Sequence, residues 1–259
     1  MKLGIVIPLK SKQVSRNWQV TCESLKKTVG SLLNQTNTNF DFIVVGHECP
    51  DLLKDMSWQG KPVFHSITEI APPNFEGVTQ DDYTKDKNSK IAKGIMLLKE
   101  RNEEVEYWFP LDADDLVSKQ LVSTIDSLPA VAGMILDGGF LFYNRQNRIL
   151  PCSQLSQYCG STGIIADQYI NCPDTFSQES IRSIPFCRYS HMGLDKFFEK
   201  EAKAPYKVIQ DKLVVYILSH GDNISDGYRE SKLSQLKAYL KPYLKGRKPG
   251  KAFMESYMS

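Results

Sequence analysis

The residues best suited to chemistry are three carboxylates crowded into one short run, Leu111-Asp112-Ala113-Asp114-Asp115. Carboxylates this close repel one another unless a cation or a proton neutralises them. An all-oxygen donor set suits a hard ion, Mg²⁺ or Mn²⁺, which also binds phosphate oxygens. Such an ion would offset negative charge on a departing diphosphate. A bare D-x-D is weak on its own, because an acidic turn serving the dipole of a helix that begins near Ser118 would look the same. Its position gives it weight. The run follows the apolar residues Tyr107, Trp108, Phe109 and Leu111, which read as a strand over 105–111, and ligands of open α/β sheets bind beyond the carboxyl ends of strands.

The elements that must position this run have their own signatures. Leu3-Gly4-Ile5-Val6-Ile7 is a short β-branched stretch stopped by Pro8, a buried strand. Trp18, Cys22, Leu25, Val29 and Leu32 recur at helical spacing, which predicts a helix over 17–35. A second apolar run, Phe40 to Gly46, completes a βαβ unit. Pro62, Pro72, Pro73 and several acids mark 50–86 as a surface excursion with one strand at 63–67. A helix is predicted over 88–101. Beyond Ala132 the pattern changes: Gly138-Gly139 between Met134-Ile135-Leu136 and Phe140-Leu141-Phe142-Tyr143 predicts antiparallel strands joined by a turn. A helix at 194–202 and a strand at 213–218 finish the body.

Taken in order, Ile5-Val6-Ile7-Pro8, then Thr28-Val29-Gly30-Ser31-Leu32-Leu33-Asn34-Gln35-Thr36, then Phe40 to Val45, then Leu111 to Asp115 resemble glycosyltransferase family 2. The resemblance spans roughly residues 3–225. It implies the GT-A fold: α/β, with a Rossmann-like, mostly parallel central sheet flanked by helices and a smaller antiparallel acceptor-side portion. It implies a nucleotide-binding half at 1–117, an acceptor half at 118–225 and, beyond them, a basic helical tail at 226–259. The activity implied is metal-dependent, inverting transfer of a sugar from a nucleotide-sugar, with UDP the expected nucleotide, to a hydroxyl of a glycan or related acceptor.

Roles follow position by position. Asp112 would lie near the donor ribose and the metal, Asp114 would ligate Mn²⁺ or Mg²⁺, and Asp115 would assist. His191-Met192-Gly193-Leu194-Asp195-Lys196-Phe197 resembles the acidic segment that supplies the family's catalytic base, which nominates Asp195; His191 is kept as a polar neighbour. His220, in His220-Gly221-Asp222-Asn223-Ile224-Ser225, resembles the late histidine that approaches metal or diphosphate. Lys87-Asn88-Ser89-Lys90 would form a donor-binding turn, helix N-terminal amides and lysine together cradling the diphosphate, with Asp86 at the base or ribose. Two departures matter. Gly46-His47-Glu48-Cys49 replaces the usual acids after the second strand, leaving Glu48 as the base contact, and the loop after Pro8 is the basic Leu9-Lys10-Ser11-Lys12. The segment 138–166, with Cys159-Gly160-Ser161-Thr162-Gly163, is expected to face the acceptor.

Composition narrows the field. A net charge of +2 on 259 residues supplies no global field for nucleic acid. Six cysteines without a C-x-x-C pair suit buried thiols rather than a zinc knuckle. There is no signal-peptide pattern and no apolar run of about 20 residues, so the expected location is cytoplasmic. Leu233, Leu236, Leu240 and Leu244 share a helical face among lysines; packing on the body is the main expectation for this tail, peripheral binding to anionic lipid the second. Two rivals stand beside the transferase: a D-x-D phosphohydrolase, and a member of the same fold that binds nucleotide-sugar or glycan without turnover.

Overall fold

The computed structural model describes residues 1–101, 104–218 and 232–258. The chain opens with β1 (Leu3–Pro8), α1 (Trp18–Leu33) and β2 (Phe40–Gly46). A short ribbon of β3 (Ser57–Trp58) and β4 (Lys61–Pro62) leads to β5 (Phe64–Ser66) and the long helix α2 (Gln80–Arg101). Next come β6 (Tyr107–Pro110), β7 (Leu116–Val117), α3 (Leu121–Asp126), β8 (Gly133–Leu136), β9 (Gly139–Tyr143), β10 (Arg148–Cys152) and β11 (Gly163–Ala166). The short helices α4 (Pro185–Arg188) and α5 (Leu194–Phe197), strands β12 (Lys207–Ile209) and β13 (Val214–Leu218), and helices α6 (Lys232–Lys245) and α7 (Lys251–Tyr257) complete it.

The central sheet runs β12-β8-β11-β6-β1-β2-β5. Only β11 is antiparallel to its neighbours; the other pairings are parallel. β1 is buried along its whole length, as a central parallel strand must be when helices cover both faces. Alternate residues serve opposite layers. Leu3, Ile5 and Ile7 pack with Leu25, Val29 and Leu32 of α1, while Val6 packs with Ile91, Ala92, Ile95 and Leu98 of α2. A second sheet, β10-β9-β13-β7, is mainly antiparallel. The fold is therefore α/β with a mostly parallel, helix-flanked sheet and a smaller antiparallel portion, the class expected from sequence. No described helix is long and apolar enough to cross a membrane.

Two local expectations are corrected. First, β8 and β9 are not a hairpin: β8 belongs to the central sheet and β9 to the second. A Cβ on Gly138 would lie 2.0 Å from the Gln210 carbonyl oxygen, so the glycine marks where the chain squeezes between sheets, not a tight turn. Second, α2 starts eight residues before the predicted 88. Thr79 and Asp82 cap it reciprocally, Thr79 N donating to Asp82 Oδ2 at 2.9 Å and Asp82 N to Thr79 Oγ1 at 3.2 Å. Lys87, Asn88 and Lys90 consequently sit inside a helix whose amides are already bonded, and the expected cradle of helix N-terminal amides is absent there.

Candidate active site

The acidic run leaves β6 at the carboxyl edge of the central sheet. Leu111 N still bonds Val6 O at 2.9 Å, and Asp115 N closes a turn onto Asp112 O at 3.1 Å. The three carboxylates then part company. Asp112 is half-buried and its Oδ1 lies 2.5 Å from Lys87 Nζ. Asp114 is half-buried as well.

Asp115 is fully buried. Its Oδ2 accepts the Ser161 hydroxyl at 2.6 Å and the Cys159 thiol at 3.1 Å, and its Oδ1 faces Ile217 N at 3.4 Å. Burial, with Asp114 and Asp112 beside it, pushes its carboxyl well above the usual range. Expected at the metal, Asp115 is instead spoken for by protein donors and holds the Cys159–Ser161 loop against the run. Ser161 ties the loop twice, because its Oγ also accepts from Asp112 N at 2.9 Å.

Gly160 explains how that loop comes so near. A Cβ there would lie 2.6 Å from Asp112 Oδ2 and 2.8 Å from Lys87 Nζ. Bare backbone is thus pressed against the ion pair, and a side chain here would push the two charged ends aside. For Lys87, burial works against the ammonium, but Asp112 outweighs it and holds the pKa above the usual lysine value.

A cleft of about 550 Å³ opens beside this pair, between α2 and the segment carrying α4 and α5. Lys87, Asn88, Gly160, Arg182, Arg188 and His191 are on its wall. Asn88 Nδ2 donates to Cys187 O at 3.1 Å and fixes the two walls together. Burial and the Lys87 charge lower the His191 pKa, with Asp112 opposing. Asp195 is not among the cleft's lining residues. Its Oδ1 accepts from Lys196 N at 2.8 Å, and its charge is felt by Tyr206. His191, given only a neighbour's part in sequence, is on the cleft wall and feels the charges of Lys87 and Asp112. Its place four residues before Asp195 was the available signal.

The remaining candidates gather at the ends of β1 and β2. Pro8 closes β1, buried opposite Val45. Asp86 is sandwiched, its Oδ1 2.9 Å from His47 Nε2 and its Oδ2 2.5 Å from Lys90 Nζ. Lys90 is 1% exposed, and burial lowers its pKa against the pull of Asp86. It therefore supports α2 from beneath and does not present an ammonium to a diphosphate. Glu48 Oε2 accepts from Lys12 N at 2.9 Å, tying the basic loop after β1 to the end of β2. His220 lies outside the described residues.

Among the described residues no group of three His, Cys, Asp or Glu side chains is arranged to hold a metal ion. Mg²⁺ and Mn²⁺ do not require one, since one or two carboxylates plus phosphate oxygens and water suffice. Asp112 and Asp114 are the two half-buried carboxylates of the run, and Asp112 is held by Lys87.

The fold is that of an α/β protein whose candidate site lies at the carboxyl edge of a mostly parallel sheet. Among solved structures the chain is similar to residues 1–349 of S. aureus TarS, at 14% identity and a TM-score of 0.47, over 84% of this chain and 60% of that one. It is also similar to Rv0371c from Mycobacterium tuberculosis H37Rv in complex with manganese, at 11% identity and a TM-score of 0.40, over 86% and 94% of the two chains. A third is the inositol-1-phosphate CTP transferase from T. maritima, at 16% identity and a TM-score of 0.37, over 93% and 96%. These likenesses are loose, and the chain spans only 60% of the TarS structure's length. No protein-family model and no curated protein matches the sequence.

Proposed function

We propose that this chain is a nucleotide-sugar-dependent glycosyltransferase of the family 2 type, moving a sugar from a UDP-sugar to an acceptor hydroxyl with inversion. The observation that carries the reading is the pairing of Lys87 with Asp112 at the end of β6, Lys87 itself lining a cleft whose wall also holds Arg182, Arg188 and His191. A cationic cleft, with Asp112 paired to the Lys87 that lines it, suits a nucleoside diphosphate and its counter-ion. In this reading residues 1–117 hold the nucleotide and 118–225 the acceptor.

Asp112 and Asp114 would hold Mn²⁺ or Mg²⁺, which when bound offsets charge on the leaving diphosphate. Lys87 would exchange its bond to Asp112 for one to a diphosphate oxygen. Pro8, Glu48 and Asp86 would shape the nucleoside end, Asp86 through the imidazole that it positions. His191 would take the proton of the acceptor hydroxyl as its oxygen attacks the anomeric carbon and the bond from that carbon to the diphosphate oxygen breaks. Neutral imidazole is the form required, and its lowered pKa favours that form. Asp195 would position the segment. A nucleotide-sugar binder without turnover is the second reading, favoured by one observation, that none of Asp112, Asp114 and Asp195 is among the residues lining the cleft.

Calorimetric titration of UDP into the protein, with and without Mn²⁺ and alongside Asp114→Asn, tests the donor site. Metal-dependent binding that the variant loses is the expected outcome. Absence of UDP binding in both conditions, followed by absence of binding by other nucleotides, would return the acidic run to a structural turn.

A further inference from the structure

We propose that α6 and the segment following it form a docking surface for a bilayer carrying acidic lipid. The first observation is exposure. Tyr239 is 56% exposed, Leu240 41%, Tyr243 45% and Leu244 80%, four large apolar side chains on neighbouring turns. Their spacing puts them on one side of α6, while Pro242 between them is buried. The neighbouring helix behaves oppositely: Phe253 and Tyr257 of α7 are buried in a cluster with Phe140, Phe142 and Ile149 of the second sheet. The protein thus covers Phe253 and Tyr257 of α7 and leaves these four side chains of α6 bare.

The second observation is charge. Between residues 232 and 251 stand Lys232, Lys237, Lys241, Lys245, Arg247, Lys248 and Lys251, with no acidic residue, while the rest of the chain is net negative. Among the described residues no carboxylate pairs with Lys241, Lys245, Arg247 or Lys248. Basic charge around an apolar face is the pattern of a helix lying in the plane of an anionic membrane surface. Nucleic acid would use the lysines but would leave Leu240 and Leu244 in water.

The third observation is anchorage. Arg247 and Ile149 exchange backbone hydrogen bonds of 2.8 and 3.0 Å along the edge of β10, and the Arg148 guanidinium lies 5.7 Å from the Tyr243 ring centre. The carboxyl end of α6 is therefore pinned to the second sheet, so the protein would meet a bilayer in a fixed attitude.

Co-sedimentation of the full chain with vesicles tests this, comparing pure phosphatidylcholine with vesicles containing about a quarter phosphatidylglycerol. Binding to the acidic vesicles alone, weakening as salt is raised, is expected. Lys241→Gln with Lys245→Gln should weaken partition by roughly thirtyfold, on about fivefold per charge. Leu240→Glu with Leu244→Glu should abolish it while leaving the far-UV circular dichroism unchanged, since both side chains are solvent-facing. The proposal is overturned if the protein stays in solution with both vesicle types, or if the leucine variant sediments like the parent. It is equally overturned if the lysine-bearing face retains a DNA or RNA duplex and not vesicles, or if the leucines instead mediate a concentration-dependent dimer in the absence of lipid.

Discussion

Lys87 Nζ and Asp112 Oδ1, 2.5 Å apart, form an ion pair across the join between α2 and the end of β6. In this geometry the ammonium stands where a divalent cation would compete for the same carboxylate. Lys87→Met should therefore have opposite effects on two titrations. Mn²⁺ affinity in the absence of nucleotide should rise, because Asp112 is released. UDP affinity with Mn²⁺ should fall by roughly 10–100-fold, the worth of a hydrogen bond to a charged group. A parallel fall in both would remove Lys87 from the diphosphate.

His191 and Asp195 can be separated by kinetics. His191→Asn is expected to keep UDP affinity and lose transfer by roughly 10²–10⁴-fold, the range for general base catalysis. Asp195→Asn should lose far less. The imidazole pKa is lowered by burial and Lys87, so neutral base persists down to below the ordinary value of about 6.5. The acid limb of the kcat/KM profile should accordingly lie below that pH and vanish in His191→Asn. The reverse ranking of the two variants would restore Asp195 as base.

Gly160→Ala asks whether the loop must touch the ion pair. Its Cβ would displace Asp112 Oδ2 and Lys87 Nζ, the movable ends of side chains, so the fold should survive with a loss of about 1 kcal/mol or less. UDP binding should nonetheless drop by about tenfold or more, because both displaced atoms belong to the proposed diphosphate contact. Thermal melts and calorimetry on the same sample read the two effects separately.

How far the sequence foretold this arrangement depends on how local each contact is. α1 and β1 follow from apolar spacing: Leu25, Val29 and Leu32 become buried, Trp18 and Cys22 half-buried, and the whole apolar run of β1 is covered. The start of α2 was missed because Pro72, Pro73 and a run of acids disguised the Thr79–Asp82 cap. The β8–β9 turn was misjudged for a different reason: β8 pairs with β11 and β12, and β9 with β10 and β13, and no local pattern announces which sheet a strand joins. The site divides the same way. The acidic run is visible as a cluster, but Asp115 is set apart from its neighbours by Cys159, Ser161 and Ile217, which lie 44, 46 and 102 residues away.

Asp86→Asn should be costly to stability. Lys90 is 1% exposed and Asp86 8%, so neutralising the acid leaves a buried ammonium without its counter-charge, at a cost of about 3–5 kcal/mol. Lys90→Met should cost less, since Asp86 keeps His47. Urea titrations of the two variants give the order, and equal costs would contradict it.

Tyr257 sets an alkaline limit. Its hydroxyl donates to Lys212 O, and burial pushes its pKa up from 10.0 to about 12. The folded-state pKa is raised, so the tyrosine's contribution is fully present below pH 10 and is lost as pH climbs from 10 towards 12. Tyr257→Phe should lower stability near pH 8 by about 1 kcal/mol and flatten this alkaline decline. Melting temperatures measured from pH 8 to 11 would show the wild-type and variant curves converging; parallel curves would mean that the phenol titrates alike in both states.

The contact between Asp115 and Ile217 N also has a temporal side. A ribosome delivers the acidic run more than a hundred residues before the strand that carries Ile217, and chains acquire structure from the amino end as they emerge. Strands β1, β2, β5 and β6 can associate early, yet the buried carboxylate in their midst must wait for the Cys159–Ser161 loop and then for β13. Until that last strand is made, a nascent chain carries most of its central sheet with one oxygen of the acid still lacking its backbone donor. Fragments ending before residue 213 should therefore hold the acid by the loop alone, and its last partner arrives late in synthesis.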